Sequence, residues 1–360
     1  MAMPSLPNLE EVFADQQRRT DMDITRLDVE YLKTILLPPF AGTHISPAVR
    51  YEFVDDLAVV SCFFNSQSYR SKTEGFQRFQ QSFAGSNLPL FTAEASLGTE
   101  PSVVQADESN FLFYGGDVMW QKERLLNLLI QRLPRAYTKV AWVDADILFE
   151  NPNWAVQTSR LLDDFKVVQP FSQCFRLRPG QEAYMGEGER SVSFAAVHHA
   201  PLLTQKAGYV LHGHTGYAWA ARREILEALP LYDCAIIGGG DDLMAHAFAG
   251  NFWSDCTARA FIDSRSAHFR HFRSWAESAW DIVGGSIGFV GGAAVHLWHG
   301  EHVNRGFSRR DSDLAKLGFD PVKHLSVDSA GLWRWAENAE PFDRLMKAYF
   351  ASRREDDHVG

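Results

Sequence analysis

The period of the apolar positions changes along the chain, and the changes mark its elements. Leu57-Ala58-Val59-Val60-Ser61-Cys62-Phe63-Phe64 is an unbroken apolar run that stops at Asn65, as a strand buried on both faces would. Phe76, Phe79 and Phe83 then recur at helical spacing within residues 70–83. A second strand is expected over 88–93. An amphipathic helix is expected over 118–132, where Leu125, Leu126, Leu128 and Leu129 build the apolar face and Pro134 stops it. Residues 140–143 read as a third strand that runs directly into Asp144-Ala145-Asp146. Strand–helix–strand alternation of this kind implies right-handed crossovers and a mostly parallel α/β sheet flanked by helices. Residues 1–55 show weak helical patterning and contain Pro38-Pro39, which suits an N-terminal extension packed on the main body. Residues 56–310 form the main domain, and residues 311–360 read as a C-terminal helical tail. The stretch 282–298 is apolar, but it is too short for a span of roughly 20 residues and glycine-rich, so it reads as a turn and a buried strand.

Composition narrows the class. With 46% apolar and 22% charged residues the chain is an ordinary globular one. Its 35 basic and 45 acidic residues leave a net charge of −10, which excludes coating a nucleic acid or an anionic membrane by charge alone. A nucleic-acid acceptor would need a local basic groove, for which His268-Phe269-Arg270-His271-Phe272-Arg273, read as a strand-to-loop surface, is the compact candidate. The start of the chain is polar, with no basic-then-apolar leader. Cys62, Cys174, Cys234 and Cys256 are widely spaced without CxxC, which fits neither a zinc pattern nor a disulfide framework. A cytoplasmic protein with reduced thiols is expected.

In parallel sheets ligands bind beyond the carboxyl ends of the strands. Asn65, Glu94, Asp144 and Asp146 fall at such ends. Two carboxylates one residue apart repel each other unless a cation lies between them. A divalent metal would remove the repulsion and keep positions open for phosphate oxygens. The competing reading is an Asp capping the next turn beside a solvated neighbour.

Gln121-Lys122-Glu123-Arg124, then residues 139–149 with Asp144-Ala145-Asp146, resemble the central segment of Asp-x-Asp glycosyltransferases of the GT-A fold. The nearest likeness is to the β-1,4-galactosyltransferase group. His214-Thr215-Gly216-Tyr217-Ala218-Trp219, Gly238-Gly239-Gly240-Asp241-Asp242 and His296-Leu297-Trp298-His299-Gly300 resemble, in order, that group's glycine–aromatic strand, its base-bearing segment and its last metal-ligand strand. The likeness spans about residues 57–310. It implies a Rossmann-type, mostly parallel central sheet with helices on its faces.

The resemblance also implies chemistry. A Mn²⁺ or Mg²⁺ ion would be held by Asp146 and His299, with Asp144 on the ribose or behind the metal. His296 stands where the family has methionine. Asp241, favoured by helix phasing, or Asp242, favoured by counting from the glycines, would be the catalytic base. Lys122, Arg124 and Arg305 would meet the diphosphate of a nucleotide-sugar donor, UDP-linked, and Asn65 and Glu94 its nucleoside. Arg309 and Arg310 would join Arg305 in a closing segment. Trp219, Tyr217, Gly239 and Gly240 would line the acceptor side. The acceptor would be a glycan, a lipid-linked sugar or another hydroxyl compound, and the transfer would invert the anomeric centre. Two other readings stay open. A haloacid-dehalogenase-type phosphotransferase would use Asp144 as nucleophile, although Leu148 stands where that class wants Thr or Val. A non-catalytic sugar-binding relative would keep the fold alone.

Overall fold

The computed structural model of the chain describes residues 44–97, 102–186, 188–198, 209–306 and 309–357. Most of the expected N-terminal extension lies outside these. Its described part, from His44, runs without helix, bridges Ile45 to Tyr184 and buries Tyr51.

The strands are β1 (Leu57–Phe64), β2 (Leu90–Ser96), β3 (Asn110–Tyr114), β4 (Lys139–Val143), β5 (Ile147–Phe149), β6 (Val167–Gln169), β7 (Gln173–Arg176), β8 (Arg190–Val192), β9 (Ala218–Arg222), β10 (Ile287–Phe289) and β11 (Ala293–His296). The main sheet is seven-stranded in the order β10-β6-β9-β4-β1-β2-β3. Only β9 is reversed, pairing antiparallel with both β4 and β6 while the remaining pairs are parallel. Alternation along β1 gives each face its own core. Ala58 and Val60 pack with Leu125, Leu126 and Leu129 of the Lys122–Ile130 helix. Leu57, Val59 and Phe63 pack with Phe76, Phe79 and Phe83 of the Arg70–Ala84 helix. The mostly parallel, helix-flanked α/β sheet expected from the hydrophobic pattern is therefore present.

Several boundaries differ from expectation for local reasons. The helix expected from residue 118 begins at Lys122, because the Trp120 N–H is drawn to the Ile236 carbonyl (2.8 Å) and the Gln121 side chain donates to the Trp333 carbonyl (2.8 Å). β2 runs to Ser96, so Glu94 lies within the strand rather than at its end. Residues 282–298 hold two strands, β10 and β11, not one. His268 to Arg273 is not a strand-to-loop surface. It opens the Ala267–Val283 helix, capped by Ser266, with His268, Phe269 and Phe272 turned inward. The tail is not purely helical. Between its helices Arg310–Lys316, Pro321–His324 and Glu340–Ser352 it forms a ribbon of Leu325–Val327 with Trp333–Trp335. Phe342, Met346, Tyr349 and Phe350 anchor this tail in the main core. Among the described residues no helix is long and apolar enough to cross a membrane.

A second sheet, β5-β11-β7-β8, sits beside the first. β5 starts directly after Asp146, and β11 pairs with it antiparallel so that His296 opposes Ile147. That register brings two sequence-distant stretches together at the carboxyl end of β4.

Candidate active site

At the end of β4 the chain turns: the Asp144 N–H donates to the Tyr217 carbonyl (2.8 Å) and the Ile147 N–H to the Asp144 carbonyl (3.1 Å). The two carboxylates consequently face one cleft with different partners. Asp144 meets the Lys122 ammonium at 2.5 Å, and the same ammonium meets Asp241 at 2.7 Å. Lys122 is only 8% exposed. Burial alone would lower its pKa, but Asp144 and Asp241 hold it well above the ordinary lysine value. Burial pushes Asp144 up to about 7, against the pull of Lys122 and with Asp241 and Asp146 adding to the rise. The cation beside Asp144 is thus a lysine, and Asp144 lies outside the group of side chains that could hold a metal ion.

Asp146 has the other set. Its Oδ2 lies 2.8 Å from His299 Nε2 and 3.8 Å from His296 Nε2. One ligand atom from each of Asp146, His296 and His299 falls within 4.8 Å of the others. These residues fit a divalent cation on a further count: Asp146 Oδ1 and His296 Nδ1 are buried without a hydrogen-bond partner, a costly state unless a ligand completes it. Burial drives His296 well below the ordinary histidine value, so it is the neutral imidazole a metal requires. Both histidines therefore converge on Asp146, where family likeness alone favoured His299. The His214, Tyr217, His296 and His299 rings stand in a column, with successive centroids 3.8, 5.1 and 5.1 Å apart. Tyr217 holds a left-handed backbone at φ 77°, a strain typical of functional sites.

The acids of the Gly240–Phe248 helix face the same cleft. Gly238 (φ 93°) and Gly239 (φ 85°) turn the chain into that helix, and the Arg310 guanidinium packs so close to Gly238 that a Cβ there would meet it at 3.2 Å. Asp241 takes Lys122, and Asp242 accepts from the Thr215 hydroxyl. Gly239 lines the cleft, whereas Gly240 backs onto the buried Glu123, whose Oε1 would sit 2.5 Å from a Cβ. The cleft holds about 170 Å³ and is edged by Lys72, Arg176, Arg305, Arg310 and Arg353. Arg305 donates to His299 Nε2 at 2.8 Å, and burial among Arg176 and Arg353 pushes its pKa down to about 10.

Besides Gly240, four expected site residues lie elsewhere. Trp219 is 1% exposed in the core and gives its indole N–H to the Thr215 carbonyl (2.7 Å), so its ring cannot face a sugar. Arg124 points away from the cleft, bonded to the Gly331 carbonyl (2.5 Å) and Asp233 (3.3 Å) and lying over Trp333. Asn65 and Glu94 line an adjoining hollow of about 190 Å³ with Ser66, Ser68 and Ser96. There Asn65 closes a turn with Tyr69, and Glu94 accepts the N–H groups of Val103 (3.0 Å) and Val104 (2.7 Å). The tail supplies what sequence reading missed. Glu355, 1% exposed, sets its carboxylate 3.4 Å from His299 Nδ1 and is paired with Arg353, which also donates to Tyr349 (3.2 Å). A carboxylate behind a ligating histidine fixes its orientation and raises its basicity. Gly300 (φ 79°) is a trace of this contact legible only in hindsight: a Cβ there would lie 2.7 Å from the Glu355 Cα.

No family model and no curated relative matches the chain. Solved structures with which it aligns include the mannosyltransferase PcManGT from Pyrobaculum calidifontis, at 13% identity over 91% of this chain and 77% of that one, with a TM-score of 0.40. Glucosyl-3-phosphoglycerate synthase from Mycobacterium tuberculosis aligns at 14% over 79% and 88%, with a TM-score of 0.35. Mannosyl-3-phosphoglycerate synthase from Rubrobacter xylanophilus aligns at 12% over 77% and 83%, with a TM-score of 0.37. At scores this low the chemistry must be read from this chain's own residues.

Proposed function

We propose that the protein is a metal-dependent glycosyltransferase, moving a sugar from a UDP-linked donor to a hydroxyl acceptor with inversion. The observation that carries this reading is the Asp146–His296–His299 set at the carboxyl end of a parallel strand, with an acid-bearing helix on one side and six lysine and arginine side chains around it. Two imidazoles and one carboxylate suit Mn²⁺ better than Mg²⁺. A divalent ion held there would act as a Lewis acid on the departing diphosphate.

The chain's own groups do the rest. Arg305 and Arg310, with Lys72 and Arg176, take the negative charge of the diphosphate, as preorganised cations aimed at a leaving group do. The hollow beside Asn65 and Glu94, open beyond β1 and β2, takes the nucleoside. Asp241 receives the acceptor's hydroxyl proton as that oxygen attacks, and Asp242, fixed by Thr215, is its alternative. Lys122 ties Asp241 to Asp144 and so holds the acid helix in register with the end of β4. A single displacement of this kind needs one base and no covalent intermediate. Acceptors are glycans, lipid-linked sugars or other hydroxyl compounds, received on the His214–Tyr217 side.

Calorimetric titration of UDP tests this. Binding is expected to require Mn²⁺, and the Asp146→Ala variant is expected to bind neither the metal nor, in its presence, UDP. UDP binding that ignores Mn²⁺ in the wild type would overturn the metal assignment. Asp241→Asn is expected to keep Mn²⁺-dependent UDP binding while kcat falls ~10²–10⁴-fold, the usual worth of a general base. An unchanged kcat, with the loss seen in Asp242→Asn instead, would move the base to Asp242.

A further inference from the structure

A second convergence of ligating side chains lies outside the cleft lining. His212 ends the short Tyr209–His212 helix, His246 lies on the Gly240–Phe248 helix, and Cys256 opens the Asp255–Phe261 helix. One ligand atom from each falls within 4.8 Å of the others. Cys256 Sγ is 3.2 Å from His212 Nε2, and the two imidazole centroids are 5.4 Å apart. Both histidines are fully buried and Cys256 is 5% exposed. Phe194 presents its ring edge-on to both imidazoles and closes the site off on that side.

His246 is the telling member. Both of its ring nitrogens are buried and neither has a hydrogen-bond partner. A neutral imidazole always carries one N–H and one lone pair, so core packing alone leaves two unmet polar atoms, each of which is costly to bury. A ligand for the lone pair removes the larger part of that cost.

We propose that His212, His246 and Cys256 bind a zinc ion that ties the acceptor-side segment to the acid-bearing helix. The donor set is two imidazole nitrogens and one thiolate sulfur, which Zn²⁺ takes readily. It is softer than the Asp146 set and selects against Mn²⁺ and Mg²⁺. As the S–Zn bond forms, the Cys256 thiol gives its proton to solvent, and nothing is oxidised or reduced. The placement defines the ion's role. His246 follows Asp242 by one helical turn, and His212 precedes His214 and Thr215, the latter being the donor to Asp242. The ion fixes these segments relative to each other, so its ligands are positioning residues. This holds whether or not the cleft binds a nucleotide sugar.

The test uses the full chain without a histidine tag, expressed with added zinc and dialysed against EDTA. Elemental analysis is expected to find about one zinc per chain in the wild type and in Asp146→Ala, and less than ~0.1 in His246→Gln and Cys256→Ser, if zinc binding is tight as in other thiolate sites. Replacement of zinc by Co²⁺ in the wild type is expected to give a sulfur-to-cobalt charge-transfer band, a signature that does not depend on the variants folding. Trace zinc with no such band overturns the proposal. So does zinc that persists in a folded Cys256→Ser variant and disappears in Asp146→Ala, which would place the ion in the cleft.

Discussion

Lys122 is a buried cation flanked by two carboxylates, and that arrangement makes it costly to change. Removing one member of a buried ionic cluster strands the others without compensation. Lys122→Met is therefore expected to lower the unfolding free energy by ~3–5 kcal/mol, measured by urea denaturation; a loss within error would show that Asp144 and Asp241 do not depend on it. Glu123, its neighbour, is 2% exposed with an unpartnered Oε1, and burial pushes its pKa up to about 8. The folded state thus binds a proton that the unfolded state releases near its ordinary value of 4.5. By linkage the stability associated with this group is intact below that value and is lost progressively as the pH rises to about 8. Glu123→Gln is expected to flatten this decline, so that the variant gains on the wild type between pH 5 and pH 8.5 in paired urea midpoints; equal slopes would contradict it. Glu355→Gln is expected to weaken Mn²⁺ binding ~10–100-fold in the folded variant, as loss of a carboxylate behind a metal-ligating histidine does. Lys122 stood out in the sequence as a basic residue before an acidic turn. Asp144 and Asp241 stood out too, but the pairing of Lys122 with Asp241 did not, because the two lie 119 residues apart and no local pattern links them.

At the scale of elements, strands were legible where both faces are buried. β1 and β4 are near-continuous apolar runs, and nothing local competes with that signal. Short strands were not: β5 and β11 have three and four residues, and only their mutual register sets His296 against Ile147. The His268–Arg273 stretch was misread as a surface for its clustered basic residues, whereas Phe269 and Phe272 recur at helical spacing and the Ser266 cap opens a helix that buries both. Trp219 misled too. An aromatic residue in a glycine-rich strand suits a sugar platform, but on β9 its ring turns into the core. Gly300 is the element-scale hinge between β11 and the tail. Its φ of 79° and the Glu355 backbone 2.7 Å from any added Cβ leave no room for a side chain. Gly300→Ala is expected to cost ~1–3 kcal/mol through backbone strain and to weaken Mn²⁺ binding by displacing Glu355. Unaltered metal affinity at reduced stability would show that the tail contact does not support His299.

The whole molecule reconciles a net charge of −10 with the anionic donor proposed above. Acidic residues are spread over the chain, whereas Lys72, Arg176, Arg305, Arg310 and Arg353 gather at one cleft with Asp146, His296 and His299. The tail is part of this arrangement. Its terminal helix is locked into the main core, and the residues just beyond it reach His299, so the chain's last described stretch completes a site whose first residue lies on β1. That closure was invisible in the sequence, because a contact between Glu355 and His299 depends on the entire path of the chain. The most direct measurement is turnover: a panel of UDP-sugars incubated with the full chain and Mn²⁺, with UDP release followed over time. Release that requires Mn²⁺ and vanishes in a folded Asp146→Ala variant is the expected result. Folded protein that releases no UDP across the panel, or an Asp146→Ala variant that turns over as the wild type does, would contradict it.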